Sequence, residues 1–132
     1  MPCGCADFEG LMRHRAGKSR LEGFEVGGRY YPAGLGKVVG EKDPEGMVKS
    51  LGEEEVGRRL RGKSLLVLSG GADKLVPWEC SRGFVERCKG MEGVRVKSIV
   101  YEGVGHLCTD EMVEELALWV KELMQEGVQA KV

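Results

Sequence analysis

The second half of the chain has a regular pattern of apolar and polar positions. SLLVLS, at residues 64–69, is a continuous apolar run, which is typical of a strand buried on both faces of a parallel sheet. Residues 94–101 alternate, with Arg95 and Lys97 on one side, so we expect a strand with one exposed face near a sheet edge. The pattern therefore predicts two parallel strands, at about 64–69 and 94–101.

Each predicted strand is followed by a segment with helical spacing, at about residues 78–89 and 109–126. Thr109 is a favourable N-cap for the last helix, and we expect Gly127 to end it. The order strand, helix, strand, helix predicts the α/β fold class. One apolar stripe along the last helix is expected to pack in the core, and it comprises Met112, Leu116, Trp119, Val120 and Leu123.

The first half of the chain has short apolar clusters and frequent glycine but no strong strand pattern. We therefore divide the chain into an irregular, short-helical N-terminal segment at 1–62, an α/β segment at 63–127 and a tail at 128–132. Within the N-terminal segment we expect short helices in residues 8–15, 44–51 and 53–60, and an extended stretch around Tyr30 and Tyr31.

Composition narrows the classes of partner and cofactor. The 132 residues carry a net charge of -1, which gives no electrostatic reason to expect nucleic acid or an anionic membrane as a partner. No apolar stretch approaches the roughly 18 residues that span a bilayer, and no secretory signal opens the chain, so we expect a cytoplasmic protein with reduced thiols. Neither a metal site nor another cofactor site is expected, because the Cys3–Cys5 pair lacks further ligands and no phosphate-binding glycine motif occurs.

Two residues capable of acid–base chemistry follow the predicted strands. Asp73 comes just after the first strand, and His106 comes just after the second. Neighbouring parallel strands lie about 4.8 Å apart, so short loops at their carboxyl ends can bring these side chains within hydrogen-bond reach. A carboxylate bonded to one imidazole nitrogen fixes the tautomer and leaves the other nitrogen as a base. A turn-forming role for Asp73 and a helix-capping role for His106 are the structural alternatives.

The segments GGADKLVP and YEGVGH resemble the C-terminal part of the α/β-hydrolase fold, in the branch of esterases, dienelactone hydrolases and prolyl-oligopeptidase-like peptidases. The resemblance covers roughly residues 60–126. It implies that the two predicted strands are the last parallel strands of a partial α/β-hydrolase fold. It also implies that Asp73 is the acid and His106 the base of a serine-hydrolase triad, with a small-molecule ester or acyl compound as substrate.

The chain departs from that family at the nucleophile. No serine, cysteine or aspartate lies in a Gly-x-Ser-x-Gly type of frame, and the residues before 64 are too few for the earlier strands of the fold. We therefore expect the chain to have no hydrolase activity of its own. Two alternatives stay open: a non-catalytic interaction module, and a fragment of a longer active hydrolase. Because an apolar strand without neighbours tends to pair with another chain, we also expect a homo-oligomer formed through an exposed strand edge.

Overall fold

The computed structural model describes residues 7–18, 25, 28, 33–35 and 43–129. Within these residues two parallel strands form the sheet, β1 (Ser64–Gly70) and β2 (Arg95–Tyr101), in a register that pairs Ser64 with Arg95 and Gly70 with Tyr101. The chain is therefore a mixed α/β protein, as the pattern predicts. The helices are α1 (Phe8–Lys18), α2 (Ala33–Leu35), α3 (Pro44–Leu51), α4 (Glu53–Leu60), α5 (Glu79–Lys89) and α6 (Asp110–Gln129).

The helices predicted in the first half form where local signals place them. Asp43 caps α3, because its side chain accepts a hydrogen bond of 2.6 Å from the backbone N–H of Gly46, and Pro44 occupies the first turn. Helix α4 begins with three glutamates and ends with two arginines, which complements the helix dipole, and it buries Val56. The extended stretch expected around Tyr30 and Tyr31 lies outside the described residues.

Helices α5 and α6 lie on opposite faces of the sheet. Val67 and Ser69 of β1 face α5 and contact the same small cavity as Val85. Register partners share a face of the sheet, so Leu66 lies on the opposite face with Lys97, beneath α6. The buried apolar residues are spread over these layers and the N-terminal helices: Leu11, Ala16, Val56, Val85, Cys88, Met112 and Trp119.

Strand β2 lies at an edge of the described sheet, as expected, and α6 covers its basic face only in part, because the side chains of Arg95 and Lys97 stay 38% and 37% exposed. The guanidinium of Arg95 lies 4.6 Å from the ring centre of Trp119, and the ammonium group of Lys97 lies 5.8 Å from it. Lys97 also pairs with Glu115 of α6. Long basic side chains can cover an aromatic ring with their stems while their charges stay paired and partly exposed, so a basic face of a strand is compatible with partial cover by a helix.

Helix α6 differs from its prediction in two respects. It continues through Gly127 to Gln129, because one glycine inside a helix costs only about 1 kcal/mol relative to alanine. The predicted apolar stripe also does not pack as one unit: Met112 and Trp119 are buried, whereas Leu116 and Val120 remain 50% and 45% exposed. Leu116 lines the open cleft beside β1, together with Leu66 and Leu68.

Candidate active site

The loops that follow β1 and β2 are joined by backbone hydrogen bonds. The N–H of Gly71 donates to the carbonyl of Tyr101 at 2.8 Å, and the N–H of Ala72 donates to the carbonyl of Val104 at 2.8 Å. These bonds extend the parallel pairing past the ends of the strands. They hold the segment that carries Asp73 beside the segment that carries His106.

The first loop folds around the Asp73 carboxylate. Its Oδ1 accepts hydrogen bonds from the backbone N–H groups of Leu75 at 2.8 Å and Val76 at 2.9 Å. Aspartate favours this kind of turn because its short side chain can replace a backbone acceptor two or three residues ahead. The turn uses Oδ1 and leaves Oδ2 to bond elsewhere. The turn-forming role considered for Asp73 is therefore real, and it coexists with the contact to the histidine.

The second loop brings His106 to that carboxylate. The Nδ1 atom of His106 lies 2.9 Å from Oδ2 of Asp73. Gly103 adopts a left-handed conformation with φ of 73°, which favours glycine at this sharp bend. Gly70 allows the close approach, because a Cβ atom built there would lie 2.4 Å from the carbonyl oxygen of Gly105. After the loop, the hydroxyl of Thr109 caps α6 by accepting from the N–H of Met112 at 3.2 Å, as predicted.

The electrostatics of the pair follow from these bonds. Burial raises the pKa of Asp73, but the hydrogen bonds from Val76, His106 and Leu75 outweigh burial and hold the pKa below its ordinary value. The carboxylate is therefore ionised at neutral pH and can only accept hydrogen bonds, so Nδ1 of His106 must donate. This bond places the remaining lone pair of a neutral imidazole on Nε2, where it can act as a base.

The pair lies in an open cleft of about 400 Å³. Other groups that could react line the same cleft, including the hydroxyls of Ser69 and Ser81 and the thiol of Cys108. Within the described residues no hydrogen bond joins Ser69 or Cys108 to His106, and the Cys108 thiol instead approaches the carbonyl of Thr109 at 4.0 Å. The cleft thus holds an acid and a base in contact.

The contact of Arg15 with the site could not be predicted from the sequence. Arg15 of α1 donates hydrogen bonds to the carbonyl of Leu75, in the turn that Asp73 organises. A basic residue on a short, weakly amphipathic helix gives no indication of a partner 60 positions later. Asp73 and His106 could be found because each follows a strand, whereas Arg15 could be found only from the folded chain.

The described residues match neither a metal-site pattern nor a membrane-span pattern. In the part of the chain that the structure describes, no group of three or more histidine, cysteine, aspartate or glutamate side chains could hold a metal ion. None of the described helices combines the length and apolar character needed to cross a membrane. Comparisons of the chain with protein-family models, with curated proteins and with solved structures found no match.

Proposed function

We propose that Asp73 and His106 are the acid–base pair of a serine-hydrolase type of site, which in its complete form acts on ester or related acyl bonds of small molecules. The observation that carries this proposal is the 2.9 Å contact between Nδ1 of His106 and Oδ2 of Asp73. The carboxylate would hold the imidazole in one tautomer and stabilise the imidazolium, while Nε2 would remove a proton from an attacking hydroxyl. In this proposal β1 to α6 form the last strands and helices of a partial α/β-hydrolase fold, in a cytoplasmic protein.

The site has an acid and a base but no assigned nucleophile. An acyl-enzyme needs a hydroxyl or thiol that the base can reach, and the members of a triad act as a unit, so an isolated pair retains little of the rate enhancement. We therefore propose that the chain alone does not catalyse ester hydrolysis. Hydrolysis of p-nitrophenyl acetate should be no faster with the purified chain than with a His106→Ala variant. A rate at least tenfold above that variant would show that a nucleophile is present.

The pairing itself can be tested without activity. In ¹⁵N spectra the shifts of the two ring nitrogens report which one carries the proton. We expect His106 to be protonated on Nδ1 in the neutral form, and an Asp73→Ala variant to lose this preference. Glu102→Ala provides a control, because Glu102 is exposed in the loop after β2. If the neutral imidazole of the parent chain carried its proton on Nε2, the proposed acid–base role would be wrong.

A second candidate function is that of a non-catalytic interaction module. The observation that favours it is the sheet itself: within the described residues only β2 pairs with β1, so the other edge of an uncharged, apolar strand has no partner. Such an edge is a template for adding a further strand. This function does not depend on the chemistry of His106.

A further inference from the structure

We infer that the open edge of β1 and an exposed apolar stripe of α6 form one docking surface for a second copy of this chain. The exposed stripe comprises Val113, Leu116, Ala117, Val120 and Met124. In this dimer the two β1 strands pair antiparallel about a two-fold axis at Val67, and the two α6 helices pack on each other. The inference rests on the interaction-module function and deepens it by naming the partner. Asp73 and His106 line the same cleft as the open edge of β1, so a second copy would occupy the entrance to the candidate active site.

The cleft runs along the edge of the sheet. Its lining includes every residue from Leu66 to Gly70, although successive residues of a strand point to opposite faces. A cavity that touches both faces of one strand must pass around the edge of that strand. The cleft also contacts residues at the start of α5 and along α6, so the open edge lies in a groove between the two helical layers.

The backbone groups along this edge are ready for another strand. The carbonyl of Lys63 accepts from the N–H of Arg95 at 3.1 Å, and the N–H of Gly71 donates to Tyr101 at 2.8 Å, so the odd-numbered residues bond to β2. The N–H and carbonyl groups of Leu66 and Leu68 therefore point to the open edge. An edge without charge, proline or a bulge lacks the features that normally prevent strand addition.

The strand is close to self-complementary. With a two-fold axis at Val67, Leu66 of one copy lies opposite Leu68 of the other, and Leu65 lies opposite Ser69. Leu66 and Leu68 would exchange both of their backbone hydrogen bonds, and the Val67 pair would be the closer, non-hydrogen-bonded pair of an antiparallel ladder. This register requires the backbone N–H and carbonyl groups of Leu66 and Leu68 to point to the open edge, as they do.

The exposed stripe of α6 lies on the same side as the open edge. Val113 and Leu116 line the cleft along β1, and the stripe continues along the helix with Ala117, Val120 and Met124. The acidic residues of α6 that pair with Arg95 and Lys97 lie toward β2 instead. A second copy of β1 would therefore extend the sheet beneath the stripe and cover the stripe residues.

The spacing of the layers fits a second copy. Helix α6 contacts β1, and its Trp119 ring lies against Arg95 and Lys97 of β2. A helix axis above the middle of this strand pair would place the two α6 axes of the dimer about two strand spacings, roughly 10 Å, apart. Packed helices lie about 8–10 Å apart, so the two stripes would meet without further rearrangement.

The charged residues beside the stripe would be complementary between the two copies. Glu114 and Lys121 are both exposed and lie seven residues apart, on the same flank of α6. In an antiparallel pair of α6 helices, Glu114 of each copy would approach Lys121 of the other. The net charge of -1 adds little repulsion between copies. Shape, hydrogen-bonding direction and charge therefore all favour a second copy as the occupant.

The first test is the mass of the purified full chain by light scattering over a dilution series. We expect the mass of a dimer. Leu116→Glu should raise the dissociation constant of this dimer at least tenfold. Leu118→Glu is the matched control, because Leu118 is also exposed on α6, at 56% against 50% for Leu116, but lies outside the stripe. A monomeric parent chain, an open series of larger species, or equal effects of the two variants would overturn the inference.

Hydrogen exchange provides a second test that does not rely on a variant. The amides of Leu66 and Leu68 should exchange slowly at high protein concentration and at least tenfold faster after dilution to the monomer. The amides of Val67 and Ser69, which bond to β2, should remain protected in both states. If the protection of Leu66 and Leu68 did not change with concentration, the strand edge would not be the interface. In that case a dimer seen by mass would use another surface.

Discussion

The side chain of Arg15 donates two hydrogen bonds to the carbonyl of Leu75, from Nε at 3.3 Å and from Nη2 at 3.0 Å. The N–H of the same Leu75 donates to Oδ1 of Asp73 at 2.8 Å. Leu75 is therefore held on one side by α1 and on the other side by the carboxylate that contacts His106. This relationship links the N-terminal helix to the candidate active site through a single backbone residue.

Removing the guanidinium should loosen this turn. In Arg15→Ala we expect the amides of Leu75 and Val76 to exchange several-fold faster, because the carbonyl that anchors their turn loses both donors. The free energy of unfolding should fall by less than about 1 kcal/mol, since the side chain is exposed and net hydrogen-bond contributions are modest. Lys18→Ala, at the exposed end of the same helix, should change neither quantity. Unchanged exchange in Arg15→Ala would mean that Asp73 alone holds the turn.

Two glycines beside the site should differ sharply in their tolerance of a methyl group. A Cβ atom at Gly70 would lie 2.4 Å from the carbonyl oxygen of Gly105 and 2.5 Å from that of Val104. These are backbone atoms of the loop that carries His106, so Gly70→Ala should destabilise the protein by about 1–3 kcal/mol and move the imidazole away from Asp73.

Gly105→Ala is the matched control for this effect. A Cβ atom at Gly105 has no neighbouring atom within 4 Å, so we expect a change in unfolding free energy within about 0.5 kcal/mol. Urea unfolding of both variants measures the difference, and the ¹⁵N shifts of His106 report whether its contact with Asp73 survives. Equal stability of the two variants would contradict the close packing of the loops.

The parts of the fold that could be predicted are those with a local signal. A short apolar run indicates β1, an alternating run indicates β2, and Thr109 marks the start of α6. The contact between Asp73 and His106 was also accessible to prediction, because the carboxyl ends of neighbouring parallel strands lie side by side. Each of these inferences depends on residues that are close in sequence or on a general property of parallel sheets.

The parts that could not be predicted depend on which surfaces meet. Arg95 and Lys97 are predicted to face solvent and stay partly exposed, but the position of the Trp119 ring against both of them has no signal in the sequence. Leu116 shares a helical stripe with the buried Trp119, yet it stays exposed because the sheet ends at β1 within the described residues. Periodicity identifies an apolar face of a helix, but the extent of the sheet beneath it decides how much of that face is buried. The catalytic role of the site stays a prediction.

Two cysteine thiols in the second half of the chain should differ in reactivity. Cys88 is 1% exposed, and burial raises the pKa of its thiol, so the reactive thiolate is scarce and also inaccessible. Cys108 is exposed in the loop after His106. We expect iodoacetamide to modify Cys108 in the native protein at least tenfold faster than Cys88. Peptide mapping by mass spectrometry measures both rates, and comparable labelling of Cys88 would show that α5 opens readily from the sheet.

The depressed pKa of Asp73 predicts how stability depends on pH. Hydrogen bonds from Val76, His106 and Leu75 outweigh the effect of burial, so the folded-state pKa lies below the value of about 3.9 that an unfolded aspartate has. In the interval between these two pKa values the unfolded chain binds more protons than the folded chain. The contribution of Asp73 to stability is therefore fully present above about pH 4 and is lost as the pH falls through the folded-state pKa.

An Asp73→Asn variant should lack this part of the acid sensitivity. Urea unfolding at a series of pH values below about 5 should give a shallower decline in free energy for the variant than for the parent chain, because the amide does not titrate. The variant should also be less stable than the parent near neutral pH, where the carboxylate bonds are intact. Glu102→Gln, in the exposed loop after β2, should keep the slope of the parent. If the curves of Asp73→Asn and the parent ran parallel below pH 5, the carboxylate would not be held more strongly in the folded chain than in the unfolded one.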